Sequence, residues 1–186
     1  RTPLWLAGAV QARSSGQSLV IAAQAIKQGE LTRLSAMSAT AHRQVARVIA
    51  DPGPLVVEVP ATTAALDEAL LAAPSQYDEI AAVATTPDGA LVKGSPVHVF
   101  INPGVFFAMD RVGAQVVLTH EATHVAMDAP FATMPAWLRE GFADQVALAS
   151  ATIPVQVAAA RYLQQVRTTG LPQQLPTDAD LDQAGP

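Results

Sequence analysis

The segment Val117-Leu118-Thr119-His120-Glu121-Ala122-Thr123-His124-Val125-Ala126 constrains the fold of this chain more than any other. Two histidines four residues apart stand about 40° apart around a helix, close enough for both rings to reach one ion. Glu121 falls about 60° from His124 on the same side and can meet a water at that ion without ligating the ion itself. Leu118, Ala122, Val125 and Ala129 lie about 180° round and form an apolar stripe. The segment is therefore expected to be a helix with one face in the core and the His-Glu-x-x-His face on a cleft.

A catalytic zinc usually takes three protein ligands and keeps one position open. With no cysteine in the chain, the third must be His, Asp or Glu. The run Met134-Pro135-Ala136-Trp137-Leu138-Arg139-Glu140-Gly141-Phe142-Ala143-Asp144 supplies a candidate. A helix is expected to open near Pro135, where the ring costs no hydrogen bond. It carries Glu140 and, one turn later on the same face, Asp144. Fifteen residues separate His124 from Glu140, enough for a turn and an antiparallel return of the chain. Asp144 is placed to accept the second ring N–H of one histidine and fix its tautomer. The metzincin pattern would need Gly at 127 and His at 130, where this chain has Met127 and Pro130. Neither His42 nor His98 completes a local motif.

The rest of the chain reads as an α+β domain with a small mixed sheet. Apolar runs at 3–10 and 18–25, separated by the polar stretch 11–17, predict a hairpin. Three-and-four spacing predicts helices over 31–49 and 111–128, the first stopped by Asp51-Pro52-Gly53-Pro54. Strands are expected at 55–59, 80–85 and 97–101. Thr62 or Thr63 caps a helix running to about Ala72. A last helix is expected at 155–168, before a Pro- and Asp-rich tail. Residues 1–50, a hairpin plus helix, read as an accessory unit and 51–186 as the main domain, which is expected to continue past Pro186. The start at Arg1, with neither Met nor a charged-then-apolar leader, suggests a mature or excised form.

Half of the 186 residues are hydrophobic, so a core can form without staples. The net charge of −5 and pI near 5.2 leave no basic footprint, which argues against nucleic acid or an anionic membrane as partner. No apolar run approaches the roughly 20 residues of a membrane span.

His120–His124 followed by Trp137-Leu-x-Glu-Gly-Phe-Ala-Asp144 resembles the gluzincin peptidases, specifically the compact peptidase-MA-like domains of bacterial, actinobacterial, surface or secreted proteins. Val57-Glu-Val-Pro60, Ile80-Ala-Ala-Val83, His98-Val-Phe-Ile-Asn-Pro103 and Leu171-Pro-x-x-Leu-Pro176 are similar in order to elements of those domains, over about 130 residues. The resemblance implies a zincin-like fold and a Zn²⁺ ion held by His120, His124 and Glu140, with Glu121 as general base. It also implies an extracytoplasmic location. The strand at 97–101 would be the edge strand above the motif helix, where an extended peptide or protein substrate pairs through its main chain. The Gly-x-Met-Glu-Asn segment of the large aminopeptidases is absent, which argues against exopeptidase action. The spacing to Glu140 is shorter than in larger relatives, so an abbreviated loop is expected.

Tyr162 and His98 are the candidates for an oxyanion donor. Tyr162 reads more simply as packing the last helix, and His98 as a rim or surface residue. Trp5, Trp137 and Phe142 read as core aromatics, and His42 as a solvated helix residue. Asp178, Asp180 and Asp182 alternate without a Gly-centred ligand pattern, which argues against a calcium site. Two other functions compete with a peptidase: a zinc-stabilised but inactive binding or scaffold module, and an interaction domain without metal.

Overall fold

The computed structural model describes residues 3–90, 92–151, 153–178 and 181. Asp180 and Asp182 lie outside them. The elements in chain order are α1 (Leu4–Ala7), β1 (Val10–Ser15), β2 (Ser18–Ala23), α2 (Gln28–Val45), β3 (Leu55–Val59), α3 (Thr63–Leu70), β4 (Ala82–Thr85), β5 (His98–Ile101), α4 (Pro103–Phe106), α5 (Arg111–Ala126), α6 (Ala136–Ala149), α7 (Val155–Ala158) and α8 (Ala160–Thr169), with a 3-10 turn at Ala129–Phe131. The fold is α+β around one five-stranded mixed sheet of order β1-β2-β3-β5-β4. β2, β3 and β5 run parallel, and the outer strands β1 and β4 pair antiparallel.

Alternation along the strands divides the core. Val57, Val59, Val99 and Ile101 turn to one face, where they pack with Leu34 and Met37 of α2, Leu118 and Ala122 of α5 and Val146 of α6. Phe100 turns to the other face and meets Leu66 and Leu70 of α3. Residues 1–50 supply β1, β2 and α2 to this same sheet and core. Local chemistry starts the helices where the side chains allow. Thr62 caps α3 through Ala65 N–H at 3.1 Å, and Asp110 caps α5 through Val112 and Gly113 N–H at 2.8 and 2.9 Å.

Three expectations need correction. The strand at 97–101 is not the sheet edge: β5 lies between β3 and β4, and β4 is the edge. Val99, Phe100 and Ile101 are all buried, a run that suits an interior strand, while most of β4 is half-buried. The first hairpin strand is shifted. Leu4–Ala7 is a short helix, and Val10–Ser15, with four polar residues in six, forms β1, which tolerates them because it is an edge. Gly16, at φ +59°, makes the tight turn to β2. The last helix is two, α7 and α8, broken at Ala159.

Candidate metal centre

The site is built by two antiparallel helices in register. α5 and α6 are joined by the turn after Ala126, so each step forward on one helix matches a step back on the other. His124 therefore faces Glu140, and His120, one turn earlier, faces Asp144, one turn later. Leu118 and Ala122, on the far side of α5, fix its rotation by packing into the core.

Three donor atoms converge. His124 Nε2 lies 2.9 Å from His120 Nε2 and 2.9 Å from Glu140 Oε2, and His120 Nε2 lies 3.3 Å from that same oxygen. Tetrahedral zinc with ligand bonds of about 2.0–2.1 Å separates its ligand atoms by about 3.3 Å, so the cluster needs to open by only a few tenths of an ångström. Two imidazoles and one carboxylate suit zinc rather than calcium or magnesium, which prefer all-oxygen shells. Behind the cluster, His120 Nδ1 meets Asp144 Oδ1 at 2.9 Å, and Arg139 Nε donates to Glu140 Oε1 at 3.0 Å, leaving Oε2 turned toward the histidines. The corresponding Nδ1 of His124 is buried without a hydrogen-bond partner among the described residues. Asp144 is 62% exposed, so Asp144→Ala is expected to leave the fold intact while weakening zinc binding about 10–100-fold. Competition with a chelating dye checks this, and an unchanged affinity would remove Asp144 from the site.

Charge in the cluster is strongly coupled. Burial opposes the charged form of His120, but hydrogen bonds to Asp144 and Glu140 and the charges of Glu121 and Asp144 outweigh it and push its pKa up to about 10. Burial works against the Glu140 carboxylate too, yet His120, His124 and Arg139 hold it below the ordinary carboxylate range. For His120 the folded value lies above the ordinary histidine value of 6.5. Its contribution to the metal-free fold is thus complete below about pH 6.5 and lost as pH climbs through about 10. A metal must displace the proton on Nε2. Zinc affinity is therefore expected to rise with pH across that window, with release of about one proton from this cluster near neutrality. Calorimetry in buffers of different ionisation enthalpy measures that release, and proton-neutral binding would contradict it.

Glu121 sits beside the cluster and is only 3% exposed. Burial raises its pKa, while His120, His124 and a hydrogen bond from the Ala84 backbone N–H pull the other way. That contact follows from the sheet. Asn102 N–H donates to Ala81 O at 2.9 Å, so alternation along the β4–β5 ladder turns the backbone groups of Ala82 and Ala84 away from β5. From the sheet face on which it packs, the motif helix thus brings Glu121 to the open edge of β4.

Other residues fall elsewhere. His98 belongs to the sheet face opposite α5, where its Nδ1 meets the fully buried Glu58 Oε1 at 2.7 Å. Tyr162 is 71% exposed on α8, and Trp5 and Trp137 are exposed rather than core. Phe142 is half-buried against the core. His42 is not simply solvated, since its Nε2 meets Gly53 O at 2.9 Å. Sequence reasoning missed Arg139, whose place next to the candidate ligand was a usable signal. It also missed Ala84, whose role lies in the backbone. Asp178 accepts from Ala136 N–H at 2.9 Å and so caps α6, which opens on Pro135 without a side-chain cap of its own.

Compared with protein-family models, with curated proteins and with solved structures, the chain has no match in any of the three.

Proposed function

We propose that this chain is a zinc-dependent peptidase of gluzincin type that acts outside the cytoplasm on extended peptides. The observation that carries the reading is the convergence of His120, His124 and Glu140, whose candidate ligand atoms lie within 4.8 Å of one another, with Glu121 buried at their side. A zinc ion held by these three residues supplies Lewis acidity and brings the pKa of water down to about 7. Glu121 receives the proton of the attacking water on its carboxylate and passes it to the leaving amine. Ala84 N–H holds that carboxylate against β4, so the base and the strand that receives the substrate are fixed to each other. The peptide pairs along the open edge of β4, rather than along β5, through the outward backbone groups of Ala82 and the carbonyl of Ala84, whose N–H is given to Glu121. Asp144 holds the His120 ring, and Arg139 turns Glu140 toward it.

Zinc-loaded protein offered a broad library of quenched peptides is expected to cleave internal bonds, to stop on chelation and to recover with zinc. Absence of cleavage by fully loaded, folded protein contradicts the proposal. One observation favours a second reading, a zinc-stabilised binding module without turnover: of the two candidate oxyanion donors, His98 is engaged by Glu58 on the opposite sheet face and Tyr162 is exposed on α8 with no hydrogen bond to the cluster among the described residues. Retained zinc and peptide binding without hydrolysis would support that reading.

A further inference from the structure

A cavity of about 340 Å³ opens on the other side of the motif helix, between α2, α5 and the C-terminal end of α6. Its walls are apolar at Met37, Val116 and Ala147. Among the described residues no acidic side chain lines it. At one end lies Arg111, the first residue of α5. Its guanidinium has no hydrogen bond or ion pair among the described residues; the neighbouring Asp110 caps the helix, its Oδ1 accepting from Val112 and Gly113 N–H. Toward the other end, Gln115 Nε2 donates to Met37 O at 3.3 Å and Thr119 Oγ1 at 3.2 Å, and Gln44 Oε1 accepts the Thr119 hydroxyl at 2.7 Å. The remaining groups of the two amides, Gln115 Oε1 and Gln44 Nε2, have no partner among the described residues. The two amides meet through Gln115 Nε2 and Gln44 Oε1 at 3.5 Å, and their remaining groups are one acceptor and one donor, the two kinds of partner a peptide group needs.

Arg111 and Thr119 are eight residues apart on one helix, a distance of about 12 Å. An extended N-acyl dipeptide spans about 10 Å. We propose that this cavity binds a short apolar peptide with a free C-terminal carboxylate. Arg111 pairs with the carboxylate, Gln44 and Gln115 bond one peptide group, and the apolar walls receive the side chains. The site shares no lining residue with His120, His124 or Glu140 and does not depend on the peptidase reading. Thr119 is nevertheless the residue before His120, so an occupant touches the helix that carries both histidines.

The test is calorimetric titration of EDTA-treated protein with N-acetyl-Leu-Leu and with its C-terminal amide. The acid is expected to bind saturably and at least about tenfold more tightly than the amide, the scale of a charge-assisted hydrogen bond. Arg111→Gln should bring the acid down to the level of the amide. Ala36→Phe, at an exposed position on the cavity wall, should abolish binding of both while leaving zinc uptake unchanged. Equal affinities for acid and amide in the unaltered chain, no saturable binding at millimolar concentration, or binding that survives Ala36→Phe in protein that still takes up zinc would each overturn the proposal.

Discussion

Replacing Glu121 by glutamine is expected to lower peptide hydrolysis by about 10²–10⁴-fold while bound zinc stays near one per chain. The substitution keeps the shape of a side chain that is 3% exposed, and its amide oxygen can still accept from Ala84 N–H. What disappears is a group able to take a proton from water. Hydrolysis and zinc content measured on one preparation separate this from misfolding. Unchanged turnover with zinc retained would show that Glu121 is not the base, whereas loss of zinc would make it a structural support of the centre.

The second large effect concerns the third ligand. Structural zinc sites contribute about 10–16 kcal/mol over some four ligands, so one ligand is worth about 3–4 kcal/mol. Glu140→Ala is therefore expected to weaken zinc binding by about 10²–10³-fold. Glu140 is half-buried on a helix surface and is not part of the apolar core, so the circular dichroism spectrum should not change. Titration against a chelator of known affinity gives the number. An affinity within about threefold of the unaltered chain would mean that the two histidines act without Glu140, and the gluzincin reading would lose its defining residue.

Helical periodicity made much of this site legible. The spacing of His120 and His124 on one helix and of Glu140 and Asp144 on the next fixes which residues share a face, because helix geometry is local. Pairing of strands is not local. The apolar run at β5 was visible, but its place inside the sheet depends on β4 returning along its outer side, and no spacing within either segment encodes that. Trp5 and Trp137, at 45% and 36% exposure, mislead for a related reason: an apolar residue type says nothing of how much surface a neighbouring element leaves uncovered. Ala84 could not be found because any residue supplies a backbone N–H, and β4 supplies this one by lying at the edge next to α5. The α2–α5–α6 cavity arises where small residues on three separate elements meet.

The central claim is tested most directly by zinc content. Protein exposed to zinc, freed of loose metal by gel filtration and analysed by elemental mass spectrometry is predicted to hold about one zinc per chain, and the His120→Ala and His124→Ala variants much less. Folded wild-type protein that retains only trace zinc after this treatment would contradict the account.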